Sequence, residues 1–261
     1  MFGMLDILRD NWLLLLIGQY PNGPLGGIAC TLILSILGIV LAFPVSVLLA
    51  LARLSPWVAL RFPATALVYT TRGVPLLMII LWGYFMVPVL VGRNVSGFTT
   101  MLCMLVIYEG AYLSEVVRAG ILALPRGQNE AARALGHSHL GAMWFVILPQ
   151  ALYNMLPSML SQFISTIQET TLGYVINVQE LTFSANQINN RLLTKPFQVY
   201  FLLAVIYFVV CFSLTELTRL VERRISKRRQ GDARAKPGLE TAATPLDADG
   251  IQPPPLSERL P

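Results

Sequence analysis

The sequence predicts an all-α integral membrane protein with about five transmembrane helices. Three observations carry that reading. The 261 residues are 55% hydrophobic and only 13% charged, about half the charged share of a soluble domain. The mean hydropathy is +0.62. The charges also cluster, leaving apolar intervals of the length a bilayer requires, about 20 residues. A soluble fold needs a polar shell that this chain cannot supply, which excludes an ordinary cytosolic enzyme and a disordered regulator.

Taken in order, residues 4–17 predict an interfacial helix. Asp6 and Asp10 stand where a signal peptide would be basic, and the apolar core at 12–17 is too short for one. The turn Tyr20-Pro21-Asn22-Gly23 ends it. No charge falls between residues 11 and 52, and the first span is expected at about 25–52, kinked at Pro44. The second span is expected at 73–92, between Arg72 and Arg93, and the third at 94–117. The fourth occupies 134–168, interrupted by Pro149 and Pro157, and the fifth 196–215. This divides the chain into an N-terminal segment 1–23, a membrane domain 24–225 and a tail 226–261, expected to be disordered from its prolines and lack of aromatic residues.

Orientation follows from arginine and lysine. Arg53 and Arg61, then Arg118, Arg126 and Arg133, then Arg219, Arg223, Arg224, Lys227, Arg228 and Arg229 share one side of the five-span map. That side is expected to be the cytoplasm, with the N-terminus outside and the C-terminus inside. The net charge of +5 thus reads as membrane topology, not as a nucleic-acid surface. Cys30, Cys103 and Cys211 lie far apart in apolar runs and read as buried hydrophobes.

The loop at 123–149 is the most informative. Pro125 suits a first helical position and Gly136 a C-terminal stop, predicting a short helix between them through Gln128, Asn129, Glu130, Ala131, Ala132, Arg133, Ala134 and Leu135. Its alanines allow close approach of a partner, and Glu130 and Arg133 offer charged handles. By composition alone it reads first as a solvated connector.

Ordered blocks along residues 25–225 resemble the permeases of ABC importers. Glu130-Ala131-Ala132, Gly136 and Ile147-Leu148-Pro149 resemble the EAA loop of that family, spanning 123–143. The blocks Thr31-Leu32, Leu49 to Arg53, Arg72-Gly73-Val74-Pro75-Leu76-Leu77, Glu109 to Ile121, Leu148-Pro149-Gln150-Ala151 with Leu156-Pro157, and Gln168-Glu169-Thr170-Thr171-Leu172 resemble its polar amino-acid subfamily. Val74, Glu169 and Thr171 stand where relatives often have Thr, Asp and Ser. The resemblance implies a type I importer permease fold in a bacterial inner membrane. It also implies a second permease subunit as homo- or heterodimer, a cytoplasmic ATPase dimer that receives the short helix through Glu130, Ala131, Ala132, Arg133 and Gly136, and a periplasmic amino-acid-binding protein. No GxxxxGK[ST] loop is present, so no cofactor is expected in this chain, and ATP and Mg belong to the ATPase. Leu81 to Pro88 and Glu109-Gly110-Ala111-Tyr112 look most like glutamate/aspartate-type permeases, with glutamine and other polar amino acids as alternatives.

Polar groups inside spans are expensive and usually face protein or water. Glu109 and Glu115 lie six residues apart on the third span, so they cannot share a face, whereas Glu115 and Arg118 can pair. Glu109 has no local cation and is either a cross-helix partner or a pathway group. The fourth span is rich in amides and hydroxyls, with Gln162, Ser165, Thr166, Gln168, Glu169, Thr170 and Thr171. Gln162, Ser165 and Glu169 fall on one helical face, which is either a pathway lining or packing glue. The pathway candidates are therefore Gln162, Ser165, Gln168, Glu169, Thr170, Glu109 and Glu115. Arg72 reads as an interface anchor. His137 and His139 lack a third ligand and flank the expected ATPase contact. A secondary transporter and an intramembrane hydrolase are the competing classes. Five spans without a visible repeat argue against the first, and the absence of a Ser/His pair within the spans argues against the second.

Overall fold

The computed structural model describes the backbone of residues 2–234 and the side chains of residues 3–225. Ten α-helices carry this part of the chain, with no named strand among the described residues. They are α1 (Phe2–Ile17), α2 (Gly27–Leu54), α3 (Val58–Gly73), α4 (Leu76–Val91), α5 (Gly97–Leu122), α6 (Arg126–Ala134), α7 (His139–Ala142), α8 (Leu148–Glu169), α9 (Leu181–Leu192) and α10 (Pro196–Arg234). A π-helical turn, Met143–Ile147, precedes α8, and a 3-10 segment, Thr170–Ile176, follows it.

The centre is the crossing of α2 and α5. Gly38, Ala42, Ser46 and Ala50 recur every fourth residue along one buried face of α2. Small side chains let two backbones approach closely where lipid removes the hydrophobic drive for association. On α5, a Cβ at Gly110 would come 3.1 Å from Val45 Cγ1. Buried apolar clusters lie along this axis. Leu34, Ile80, Met101, Leu105 and Ile176 form one. Ala50, Val117, Ile121, Leu148 and Met155 form another, toward α6. A third joins α1, α9 and the start of α10 through Ile7, Leu15, Leu181, Ile188 and Val199.

The start of α2 is tied to the segment before α9. Gly27 N donates to the Gln179 carbonyl at 3.0 Å, and Leu181 N donates to Thr31 Oγ1 at 3.1 Å. Gly27 has φ +60, and a Cβ there would meet the Leu15 carbonyl oxygen at 2.3 Å, so no other residue fits. The fully buried Glu180 caps α9 by accepting from Thr182 N and Phe183 N, and it accepts from Tyr207 Oη at 3.0 Å. Burial pushes its carboxyl up to about 7 although these bonds pull the other way.

The structure revises several expected boundaries. Among the described residues three helices, α2, α5 and the 196–225 part of α10, are long and apolar enough to cross a membrane. The α3–α4 pair, bent by 105°, makes a fourth if counted as one span. The second span is thus half of a bent pair, and its α3 arm was expected as a loop because it carries Arg61 and Arg72. The α5 helix begins at Gly97 and runs five residues beyond 117, to Leu122. The interval 134–168 is not one helix broken at two prolines. It is α7, a π turn and then α8, with Pro149 at the first turn of α8 and Pro157 inside it without a break. Twenty-two residues make α8 about 33 Å long, but its amides and hydroxyls lower its hydropathy. The α9 helix, amphipathic and not expected, fills part of the gap before α10. The α10 helix extends to Arg234, so residues 226–234, expected as part of a disordered tail, are helical. The remainder of that tail lies outside the described residues. Contacts divide the chain after Arg219; of the second unit, residues 220–234 are described, and they are helical.

Candidate functional site

Three polar clusters interrupt the apolar body, the first two assembled by helices distant in sequence and the third by a local segment. In the first, Glu109 of α5 is fully buried. Thr166 of α8, also fully buried, places its hydroxyl 2.7 Å from Glu109 Oε1 and 3.0 Å from the Gln162 carbonyl. Glu169, at the last turn of α8, lies against Glu109. Glu109 Oε2 and Glu169 Oε2 are both buried and accept no hydrogen bond among the described residues. No ion pair among the described residues reaches either carboxyl. The two carboxyls lie within hydrogen-bonding reach of one another, so a proton held between them is the one donor the cluster itself supplies, and no other donor among the described residues reaches either Oε2.

The second cluster gathers around Glu115. Arg53 at the end of α2 reaches Glu115 Oε1 at 2.9 Å, Arg72 at the end of α3 reaches the same oxygen at 3.2 Å, and Arg118 on α5 reaches Oε2 at 2.9 Å. The Arg118 contact follows from the i,i+3 spacing. The other two join α2 and α3 to α5. Arg53 also lies over the Tyr69 ring at 5.5 Å and Arg72 over the Tyr112 ring at 5.0 Å. Arg72, expected as an interface anchor, is thus a member of an ion cluster of which only Arg53 is buried. Glu115, expected as a pathway group, has both carboxylate oxygens engaged by guanidinium groups. Tyr108 and Tyr112, with ring centroids 4.6 Å apart, flank Glu109 on α5.

The third cluster is α6 and its attachment. Pro125 stands just before α6, not at its first turn. After the helix, Gly136 N donates to the Arg133 carbonyl at 3.0 Å and His137 N to the Ala132 carbonyl at 3.2 Å. This pair of bonds, closing over a glycine at φ +90, is a Schellman stop. Of Glu130, Ala131, Ala132, Arg133 and Gly136, only Ala132 is buried, so α6 presents the other four outward. His137 follows the stop and His139 opens α7.

The remaining sequence candidates separate. Ser165 and Gln168 are exposed and Gln162 is half-buried. Gln168 Nε2 faces Cys211 Sγ of α10 at 3.9 Å. Thr170 is fully buried, with its hydroxyl turned back on the Ile167 carbonyl at 2.7 Å. Sequence reasoning counted Thr166 among the hydroxyls of this segment but did not single it out, and it is the residue that joins α8 to Glu109. Its signal is positional: Thr166 lies one turn past Gln162, on the inner side of the face that Gln162 shares with Glu169. Arg53 entered as a topology marker and Arg72 as an interface anchor, both within the blocks that resemble the family, and nothing in their spacing points to Glu115.

Residues 42–227 match the family model described as the binding-protein-dependent transport system inner membrane component. A probable glutamine ABC transporter permease protein, GlnP, of Bacillus subtilis is 34% identical over 214 residues, covering 80% of this chain and 98% of that protein. The glutamate/aspartate import permease protein GltK of Escherichia coli O157:H7 is 34% identical over 208 residues, covering 77% and 92%. Among solved structures, one described as an amino acid ABC transporter with histidines aligns with a TM-score of 0.73 at 33% identity, covering 85% of this chain and 98% of that one. An inward-facing MetNI methionine ABC transporter aligns with a TM-score of 0.57 at 21% identity, a likeness of fold.

Proposed function

The chain belongs to the family of binding-protein-dependent transport system inner membrane components, and from that membership we propose that it carries a polar amino acid across a bacterial inner membrane. In this reading a periplasmic binding protein delivers the substrate, and α6 docks in a groove of a cytoplasmic ATPase. A second permease subunit completes the pathway. ATP-driven closure of the ATPase pair moves α6 and reorients the helices between outward and inward access. The chain performs no covalent chemistry.

The observation that carries the substrate reading is the Glu109–Thr166–Glu169 cluster. The ammonium group of an amino acid brings three N–H donors, and it can take the place of the proton that the buried Glu109 and Glu169 carboxyls otherwise share. The paired carboxyls, with no cation beside them among the described residues, offer a side-chain carboxylate of the substrate no compensating charge. The geometry therefore favours an amino acid with a neutral or basic side chain. A second reading, glutamate or aspartate, is favoured by the sequence blocks at 81–88 and 109–112 and by the 34% identity to GltK.

Uptake of labelled glutamine, histidine, arginine, cystine, glutamate and aspartate into vesicles holding the full transporter separates the two. Glutamate or aspartate as the sole transported substrate would establish the second. Under the first, Glu109→Gln lowers uptake at least about tenfold, a loss of roughly 1.4 kcal/mol in transition-state stabilisation, while ATPase co-purification stays at the wild-type level. Unchanged uptake by Glu109→Gln removes the cluster from the pathway.

The arginine asymmetry supports a cytoplasmic position for α6. A reporter active only outside is expected to work when fused near Arg93 or Leu193 and to fail near Gly127 or after Arg229. The opposite pattern reverses the orientation.

A further inference from the structure

Between α6 and α8 the backbone departs from α geometry at a place the sequence explains. Pro149 has no N–H to donate, and its ring crowds the carbonyl four residues back. The chain answers with the π turn Met143–Ile147, in which Leu148 N reaches back five residues to the Met143 carbonyl. A π turn is a wider and weaker segment than the helix around it, and such turns gather at functional sites. Left alone, this one would absorb a displacement of α6 before it reached α8. The contact of α6 with the body is also loose. A cavity of about 400 Å³ lies under it, lined by Ile121, Leu124, Glu130, Met143 and Ile147 among others, and Ala132 is its one buried residue.

Gln150, in the first turn of α8, spans this weak point. Its Nε2 donates to the Val146 carbonyl, inside the π turn, at 2.8 Å. The same amide group lies 3.4 Å from Gln128 Oε1 on α6. Its two N–H donors thus serve two different elements at once. We infer that Gln150 is the positioning residue that clamps the π turn and hands movement of α6 to α8. Thr166 and Glu169 lie 16 and 19 residues further along α8, so a stiff first turn carries displacement about 24–29 Å to the carboxyl cluster. Gln150 touches neither substrate nor nucleotide; it acts through the helices it joins. The inference rests on the reading of α6 as the ATPase-docking helix.

The test uses the assembled permease–ATPase complex with Cys30, Cys103 and Cys211 replaced and a nitroxide label at Ser161→Cys, an exposed position on α8. The probe is MgATP with vanadate, which traps the closed ATPase, and the readout is the fraction of label whose spectrum shifts. Gln150→Leu keeps the size of the side chain and removes both donors. It is expected to bind the ATPase and trap vanadate normally, yet to lower the shifted fraction at least about fivefold, the lower end of ordinary allosteric coupling. Gln150→Lys retains N–H donors and is expected to keep the shift within about twofold of wild type. Gln128→Leu, on the exposed face of α6, removes only the acceptor and leaves α8 intact; it is expected to lower the shift as well. A role in folding alone would lower the melting temperature and leave the shift unchanged.

A shift within about twofold of wild type in Gln150→Leu overturns the inference, as does failure of Gln150→Lys to restore it. If Gln150→Leu does not assemble, Gln128→Leu decides in the same way. A wild-type complex that does not bind the ATPase through α6 overturns the docking reading and this inference with it. Loss confined to the Gln150 and Gln128 variants, with docking intact, belongs to the inference alone.

Discussion

Glu115→Gln is expected to destabilise the folded permease by about 3 kcal/mol or more, the cost of leaving a buried charge without its partner. The reason is the asymmetry of burial within the cluster. The Arg53 side chain is 5% exposed, while those of Arg72 and Arg118 are 36% and 35% exposed. When the carboxylate is removed, Arg72 and Arg118 can turn to water or headgroups. Arg53 cannot, and its Nη1 already lacks a hydrogen-bond partner. Arg118→Ala should therefore cost under about 1 kcal/mol, as exposed pairs do. Arg53→Leu together with Glu115→Leu should cost less than the sum of the two single changes, because the double variant leaves no unpaired charge in the interior. Denaturant unfolding in detergent measures all five variants, the two single leucine changes included. A Glu115→Gln variant no less stable than Arg118→Ala would mean that the cluster does not hold α2, α3 and α5 together.

This cluster also marks how far the sequence could be read. The pairing of Glu115 with Arg118 is local and follows from helical spacing. The contacts of Glu115 with Arg53 and Arg72 bridge 62 and 43 residues, and no periodicity within one helix encodes them. The same holds for Glu109 and Thr166, which lie 57 residues apart. Local arithmetic did establish that Glu109 and Glu115 face different ways, and the structure sends them to different clusters.

The helices divide by the same logic. A search for charge-free intervals finds elements that are apolar all round, as α2 and the apolar part of α10 are, and the first half of α5 up to Tyr108. It passes over amphipathic ones. The α9 helix buries Leu181, Ser184, Ala185 and Ile188 at helical spacing while Asn189, Asn190 and Arg191 close its other side. That pattern is visible in the sequence to a search for period 3.6, not to one for runs without charge. The α3 helix hides for the same reason, with Ala64, Val68 and Thr71 buried and Arg61 and Arg72 at its edges. Backbone punctuation was read more successfully. Pro125 and Gly136 bound α6 to within a residue, because each acts through its own backbone and needs no distant partner. Pro149 was read as a break in a span, when its effect is to widen one turn.

Gly136→Leu and Glu130→Lys are expected to have the largest effect on function, through α6. Gly136 sits at φ +90, where a residue with a side chain pays roughly 1 kcal/mol or more. A Cβ there would meet nothing within 4 Å, so the penalty is one of backbone conformation and not of crowding. Leucine should escape it by abandoning the Schellman stop, which frees the Ala132 and Arg133 carbonyls and lets α6 lengthen or tilt. A helix seated in a groove tolerates little change of approach angle. Gly136→Asn is the control, since asparagine enters the left-handed region more readily, and it should retain most of the function. Glu130 is exposed on α6, and reversing its charge against a partner surface that fits the native sign costs several kcal/mol. Both Gly136→Leu and Glu130→Lys should insert and fold, because neither residue supports the membrane body. They should nevertheless lose ATPase co-purification, or its stimulated hydrolysis in vesicles, by at least about tenfold. If both bind and stimulate the ATPase as the wild type does, α6 is not the docking element, and the energy input must enter the permease elsewhere.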